Sequence, residues 1–156
     1  MSRRQAMIDY LLGKVEDARP LVNRFGHQIN IKKRPSSELP ICSIFAPSWR
    51  TDLVEFAQKK TANSFILVWV EEFAAGEDQG IEAQRSLLNT AEEIEGAIWD
   101  GNVADTDAAG YFAYVASGDL RSSSEDANRH GLVLEIVIDT VDVEDGGFSL
   151  TEDAEA

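Results

Sequence analysis

The sequence is poor in cysteine, histidine and proline, and these shortages exclude several classes of protein. Of its 156 residues, one is cysteine, two are histidine and four are proline. Because Cys42 has no second cysteine to pair with, no disulfide within the chain is possible, and its place in an apolar run predicts a small buried side chain. Cysteine and histidine also lack the spacing of a zinc site. These features fit a reducing compartment.

Positive charge and long apolar runs are scarce as well. The 14 Lys and Arg residues are outnumbered by 28 Asp and Glu residues, which gives a net charge of −14. This balance argues against binding nucleic acid through its phosphates, which requires a basic surface. The longest apolar run, residues 65–70, is far shorter than a membrane span, and the first residues form no apolar leader. We therefore expect neither membrane insertion nor a signal peptide.

The few basic residues are concentrated in one part of the chain. Eleven of the 14 lie within the first 60 residues, whereas 22 of the 28 acidic residues follow them. A folded chain of this kind can present two faces of opposite sign, which lets identical copies attract one another head to tail. The alternative is a solvated acidic domain in which the clusters have no particular role.

The spacing of apolar residues predicts two helices and five strands. Ser2 and Gln5 have capping-box spacing ahead of an amphipathic helix that ends at Pro20. A second helix ends at Gly101 and has an apolar stripe of Ile81, Leu87, Leu88, Ala91, Ile94 and Ile98. Strands are predicted over residues 25–32, 39–46, 64–73, 111–116 and 132–143. We interpret residues 48–63 as a connection and residues 117–131 as a long mobile loop.

The order of these elements predicts an α+β fold. We expect a single mixed, mainly antiparallel sheet of about five strands, with two main helices packed on it. Hairpin-length connections predict that the first strands are antiparallel. The strand at residues 64–73 is apolar on both faces, so it is central or faces a partner. One domain should span residues 1–145, followed by an acidic flexible segment over residues 146–156.

No catalytic constellation emerges from the sequence. His27 lies at a mostly apolar position of a predicted strand, so a partly buried imidazole is the plainer interpretation and a ligand or base the alternative. His130 is expected at the surface. Nucleophile elbows, phosphate-binding loops and dinucleotide glycine patterns are absent, and Asp105 and Asp107 lack the rest of a calcium loop. We expect no enzyme activity, no cofactor and no metal site.

Aromatic residues are more informative. Trp49 lies in the predicted connection, Trp69 and Phe73 on the two-faced strand, and Tyr111 and Tyr114 on opposite sides of the fourth strand. Some of these rings belong to the core. The others are candidates for anchoring a partner, because Trp and Tyr are over-represented at protein interfaces.

Six segments share their order and spacing with a known family. They read RQAMIDYLL at residues 4–12, NRF at 23–25, LPI at 39–41, FILVWV at 65–70, IEGAIWD at 94–100 and GLVLEIVI at 131–138. In this layout the chain resembles the tail terminator and tail completion proteins of long-tailed bacteriophages, the lambda-like minor tail protein group. The resemblance rests on order and spacing, and residues 48–63 and the acidic C-terminal segment lie outside it.

The resemblance implies a subunit that forms a ring, commonly a hexamer, at the head-proximal end of the tail tube. Such a ring stops polymerisation of the tube protein and offers a surface to the head–tail connector, with DNA only as passing cargo. The expected location is the neck region of the virion tail, and the host cytoplasm during assembly. Arg24, Lys32, Lys33 and Arg34 would meet an acidic neighbour, although the basic triplet alone is typical of a solvated turn.

Other functions stay open from the sequence. A head–tail joining or neck subunit would share the same features, because both are small ring proteins. A small-molecule-binding regulatory module would need a pocket with convergent polar groups. An enzyme would rest on His27 and a nearby carboxylate.

Overall fold

The structure is a computed structural model that describes residues 2–20, 22–55, 58–74, 76, 79–104, 112–122 and 128–143. Helix α1 is Arg3–Ala18 and helix α2 is Gln79–Ala104; the strands are β1 Asn23–Phe25, β2 Ile41–Glu55, β3 Gln58–Glu72, β4 Phe112–Ser122 and β5 Arg129–Val143. The strands form one sheet in the order β1-β2-β3-β5-β4. Only the β1–β2 pair is parallel among the paired strands described. The predicted α+β class, with a mixed and mainly antiparallel sheet, is confirmed.

Helix α1 begins and ends where the sequence predicts. The Ser2 hydroxyl accepts a hydrogen bond from the Gln5 amide at 3.0 Å, which satisfies one of the free N–H groups of the first turn. At the other end, the Arg19 amide donates to the Val15 carbonyl at 2.7 Å, and Pro20 follows. The helix buries its apolar face, formed by Met7, Ile8, Leu11 and Val15.

The core lies between the two helices and one face of the sheet. Strand β3 runs through its centre, with β2 on one side and β5 on the other. Cross-strand partners place matching apolar residues on the same face, as in the row Cys42, Trp69 and Leu132. Its largest fully buried side chains include Trp69, Phe65, Met7, Leu11, Ile44, Leu67, Leu87, Ile94, Ile98, Leu132 and Leu134.

The first predicted strand, over residues 25–32, is wrong. Strand β1 ends at Phe25, and residues 31–33 and 36–38 form two short 3-10 helices. Strand β1 runs parallel to β2, not antiparallel as expected. Residues 26–40, which join the two strands, return the chain to the end of the sheet at which β1 begins, so both strands run in the same direction. On the face opposite the helices, the Ser43 hydroxyl donates to the His27 carbonyl. The side chain of His27 is exposed, so the predicted burial of its imidazole is also wrong.

The β2–β3 hairpin is much longer than predicted. Pro47 does not stop β2, because a register shift between Phe45 and Ser48 lets the strand continue past a residue that cannot donate a backbone hydrogen bond. Residues 48–55 and 58–63, expected to form a connection, pair with each other instead. Residues 48–54 are all exposed, because this part of the hairpin extends past the core, so their sequence shows no apolar period.

Two further boundaries differ from the prediction. Strand β4 continues to Ser122 and pairs there with His130 of β5, so most of the predicted loop at residues 117–131 is strand. Helix α2 does not end at Gly101, which is buried, but at Ala104. The expected acidic segment at residues 146–156 lies outside the described residues, as do residues 123–127.

Candidate functional site

Large exposed apolar side chains form two groups at opposite edges of the sheet, among the residues that the structure describes. The hairpin patch consists of Trp49, Leu53 and Val54 on β2. The edge patch, on α2 and β4, consists of Ile81, Leu88, Trp99, Phe112 and Leu120. Within the edge patch, the rings of Trp99 and Phe112 touch each other, and Leu120 lies near the start of α2. Grouped apolar side chains at the surface mark interaction sites more often than isolated exposed residues do.

The hairpin patch lies on the helix-bearing side of the sheet, beyond the start of α1. Trp49 pairs with Asn63 and Leu53 pairs with Lys59, so both side chains share the face that Asn63 presents to α1. The Arg4 guanidinium carbon lies 3.9 Å from the centre of the Trp49 ring, and the Arg4 Nε donates to Asn63 Oδ1 at 3.0 Å. A cation–π contact contributes about 0.5–1 kcal/mol at an exposed site.

These contacts hold the Trp49 ring without burying it. Asn63 is itself buried, and its Nδ2 donates to the Ile138 carbonyl at 3.2 Å, which fixes the Oδ1 that Arg4 contacts. The exposed fraction is 55% for Trp49 and 82% for Leu53. An oriented ring at the surface loses little conformational entropy on binding, which favours a role as an anchor.

The Trp99 end of the edge patch adjoins an opening between α2 and β4. The Trp99 and Phe112 rings meet edge to face with centroids 5.8 Å apart, and Phe112 lies 6.1 Å from Tyr114. Glu95, Trp99, Tyr114 and Val115 line a cavity of about 390 Å³. The site therefore offers an apolar recess with a carboxylate at its rim.

Asn102 fixes the position of β4 against α2. Its Nδ2 donates to the Ala113 carbonyl at 2.7 Å, and its Oδ1 accepts from the Ala113 amide at 2.8 Å. The side chain thus satisfies both backbone groups of a residue in an edge strand, as a neighbouring strand would. Ala113 directly precedes Tyr114 and Val115, which line the recess, so this connection lies next to one wall of the recess.

The charges around the two patches are opposite in sign. On the face of the hairpin patch, Arg4 lies above Trp49, and Lys59 lies opposite Leu53. Arg50 and Lys60 are on the other face and pair with Asp52 and Asp139, at 3.3 and 3.7 Å. Helix α2 contains five acidic residues and one basic residue. Of its acids, Glu93 is paired with Arg19 of α1 at 3.0 Å, whereas Glu92 and Glu95 are exposed. The charge asymmetry of the sequence therefore has a spatial counterpart in these two surfaces.

The predicted basic cluster does not form one surface. Arg24 pairs with Glu16 at 2.9 Å, and Arg34 contacts Glu38 at 3.4 Å and lies over the Phe25 ring. Both guanidinium groups thus have carboxylate partners within the chain. The side chains of Lys32 and Lys33 are exposed on a 3-10 helix, where they are accessible to a neighbour.

The predicted aromatic candidates separate into core and surface. Trp69 is 1% exposed and belongs to the core, so its ring is not accessible to a partner. Phe73 packs partly buried against the core and meets His130 at 5.7 Å. Tyr114 is half-buried beside the edge patch, and Tyr111 lies outside the described residues.

Sequence reasoning missed most of the edge patch. Ile81 and Leu88 were assigned to the buried stripe of the second helix, but both are exposed. Leu88, Glu95 and Trp99 are separated by seven and four residues, so they share a side of the helix away from the Leu87, Ile94 and Ile98 stripe. The available signal in the sequence was the pair Leu88 and Trp99, two apolar residues that lie on the same side of the helix but outside the buried stripe.

A second cavity lies beside the basic triplet. His27, Lys33, Arg34 and Glu38 are among the residues that line this space of about 490 Å³. Of the residues singled out in the sequence, His27, Lys33 and Arg34 line this cavity. Within the described ranges, no group of three or more His, Cys, Asp or Glu side chains is arranged to hold a metal ion.

Cys42 should be chemically silent in the folded protein. Burial raises the pKa of its thiol to about 12 from an ordinary value of 9.0, although the Arg24 guanidinium acts in the opposite direction. At pH 8 the folded protein should hold about a thousandfold less thiolate than the unfolded chain, since each pKa unit is a factor of ten. Labelling with a thiol reagent should be at least a hundredfold slower without urea than with it. Equal rates would contradict burial of Cys42.

The raised pKa of the Cys42 thiol also makes the free energy of unfolding depend on pH. Between pH 9.0 and about 12 the unfolded thiol releases its proton while the folded one retains it. The contribution of Cys42 to stability is complete below this window and is lost as pH rises through it, by about 1.4 kcal/mol per unit. Urea titrations of the wild type and Cys42→Ala between pH 8 and 10.5 should show a steeper loss for the wild type. Parallel curves would contradict the shift.

Comparison with protein-family models and with curated proteins finds no match to this chain. None of the helices in the described part of the chain is long and apolar enough to cross a membrane.

Proposed function

We propose that this chain is a structural subunit of a bacteriophage tail, which assembles with copies of itself into a ring at the head-proximal end of the tail tube. The observation that carries the proposal is the pair of exposed apolar patches of opposite charge at the two edges of one sheet. The resemblance in the order and spacing of segments supplies the context of a tail terminator, and a hexamer is the proposed ring.

The mechanism is steric and energetic rather than chemical. Each subunit buries apolar surface against two neighbours through a head-to-tail interface, which closes into a ring when the rotation between copies allows it. One ring face binds the last ring of tube protein, and the other face binds the connector without recruiting further tube protein. The net charge of −14 keeps the ring from adhering to DNA that passes through it.

Co-expression with the tube protein encoded in the same genome tests this function. Electron microscopy should show tubes that stop growing, each with one ring at one end, whereas tube protein alone should give longer tubes of variable length. Antibody labelling of intact virions separates the closest alternative. Label on the tube end of headless tails supports a terminator, and label confined to tail-free heads supports a head–tail joining or neck subunit. Unchanged tubes and unlabelled particles would contradict both.

Charge reversal of the exposed lysines tests the predicted contact with an acidic neighbour. In the double variant Lys32→Glu, Lys33→Glu, attachment of the ring to tube or connector should weaken at least tenfold in low salt. The melting temperature should stay within about 2 °C, because exposed substitutions change stability by less than about 0.5 kcal/mol. Lys32→Gln, Lys33→Gln is the matched control, with a smaller loss. Attachment that is unaffected in both low and high salt would show that these lysines face solvent.

The cavity beside His27, Lys33 and Arg34 favours one other candidate function, a module that binds a small anionic molecule. Its basic and imidazole groups suit a carboxylate or phosphate, although Arg34 already contacts Glu38 at 3.4 Å. This alternative predicts that an anion raises the melting temperature in a saturable way. Inorganic phosphate and citrate, compared at equal ionic strength with chloride, would show that shift in the wild type and not in Lys33→Gln.

A further inference from the structure

We infer that the ring contact is made by the hairpin patch of one copy seated on the edge patch of the next copy. This inference rests on the proposed function and identifies the two surfaces that it requires. Trp49 and Leu53 enter the recess between α2 and β4, where they meet Trp99 and Phe112.

The apolar content of the two patches supports this pairing. Trp49 is 55% exposed on one side, and Trp99 is 56% exposed on the other. Such rings are the commonest anchors of protein interfaces, and large aromatic side chains each bury about 150–250 Å². The recess of about 390 Å³ between Glu95, Trp99 and Tyr114 gives one such side chain a place to insert.

The charges select a second copy as the occupant. Arg4 lies over the Trp49 ring and Glu95 lines the recess, so insertion of Trp49 brings these two opposite charges together. Arg50 and Lys60 of the hairpin are paired within the chain, with Asp52 at 3.3 Å and Asp139 at 3.7 Å. Around the edge patch, Glu92 and Glu95 are exposed on a helix with five acids and one base. Bringing surfaces of opposite sign together favours encounter and fixes register, whereas like surfaces repel.

The same charges disfavour covering of the edge patch by the end of its own chain. Residues 144–156 contain five acidic side chains and no basic one. Placing that segment against α2 would bring like charges together. The hairpin patch of another copy carries the complementary charge and the aromatic anchor as well.

The topology makes this contact head to tail. Strand β4 forms one edge of the sheet, and β1 covers β2 only at Ile41, Cys42 and Ser43, so β2 forms the opposite edge beyond Ser43 among the described strands. Each copy therefore uses each patch once, with a different neighbour on each side. Such a heterologous contact leads to a ring when it closes and to a filament when it does not.

Paired cysteines test the contact directly. We would combine Val54→Cys in the hairpin patch with Glu95→Cys at the recess, and add a short bis-maleimide at pH 7 to concentrated protein. Native Cys42 is buried and does not compete. The double variant should give a ladder of multimers, at least tenfold above the control Val54→Cys, Asp17→Cys, in which the second cysteine lies on the exposed end of α1. Addition of Trp99→Asp to the double variant should reduce the ladder to the control level while the melting temperature is retained.

Single variants decide the direction of the contact. A mixture of Val54→Cys with Glu95→Cys should give one covalent dimer and nothing larger, and each single variant alone should give no dimer above background. Dimers from one single variant alone would overturn the inference in favour of a two-fold contact. A double variant that gives no ladder above its control, alone or on tubes, would also overturn it.

The two proposals fail in distinguishable ways. A ladder from the double variant without any effect on tube growth would leave this contact standing and remove the tail-terminator function. Rings at tube ends without the Val54–Glu95 cross-link would keep the function and remove this contact.

Discussion

Trp69→Ala should destabilise the fold by about 3–5 kcal/mol, the usual loss when a buried aromatic side chain is truncated. Trp69 is among the largest fully buried side chains and lies in the central strand, between Cys42 and Leu132. Its removal leaves a cavity in the core that the helices and the sheet enclose. Urea unfolding followed by far-UV circular dichroism measures the change.

The other two tryptophans provide matched controls for this prediction. Trp49→Ala and Trp99→Ala should each change the free energy of unfolding by less than about 1 kcal/mol, because more than half of each side chain is exposed. Both should nevertheless weaken assembly at least tenfold. The three substitutions are chemically identical, so their different outcomes isolate burial from surface recognition. A destabilised Trp49→Ala that assembles normally would contradict the assignment of Trp49 as an anchor.

Asn102→Ala should detach β4 from α2, with a loss of about 1–3 kcal/mol, because the substitution leaves a backbone donor and acceptor without their partner. Two hydrogen bonds join the Asn102 side chain to Ala113, at 2.7 and 2.8 Å. Amide exchange at Ala113 should accelerate about tenfold or more, since each 1.4 kcal/mol of opening free energy corresponds to a factor of ten.

Asn89→Ala is the control for this prediction, because Asn89 is an exposed asparagine on the same helix. It should leave exchange at Ala113 unchanged. The detached strand should also disorganise the edge patch, so Asn102→Ala should weaken assembly while Asn89→Ala does not. Unchanged exchange at Ala113 in Asn102→Ala would show that β5 alone holds the strand in place.

The sequence predicted those elements whose signal is local or periodic. Ser2 caps α1, and the buried positions of α1 and β3 follow their periods of 3.6 and 2 residues. The strand over residues 64–73 was predicted to be central or to face a partner because both its faces are apolar. In the structure, β3 alternates buried and half-buried residues from Thr61 to Val70.

The errors come from tertiary pairing that overrides local signals. Pro47 ordinarily ends a strand, but the bulge beside it lets β2 continue, and pairing with β3 supplies the hydrogen bonds of the distal hairpin. The alternation around His27 resembles a strand, yet that segment crosses the face of the sheet and forms 3-10 turns. The local pattern of apolar and polar residues does not show which strand of the sheet pairs with a given segment.

The candidate site was predictable only in part, for the same reason. The sequence identified Trp49 and the charge asymmetry, but Trp99 and Phe112 come together only when β4 packs against α2. Arg24 and Arg34 were predicted to meet a neighbouring subunit. The structure pairs them with Glu16 and Glu38 of the same chain, and composition alone does not reveal these ion pairs. A surface formed by two elements separated in sequence requires the fold before it can be identified.

The central claim is that this chain acts by assembling with copies of itself. Light scattering and negative-stain electron microscopy on one concentrated sample, at low and raised salt and with tube protein present or absent, test it most directly. The account predicts closed rings of one defined mass, alone or at tube ends, and their loss in Trp99→Ala at an unchanged melting temperature. A protein that remains monomeric in every condition, with bare tube ends, would contradict it.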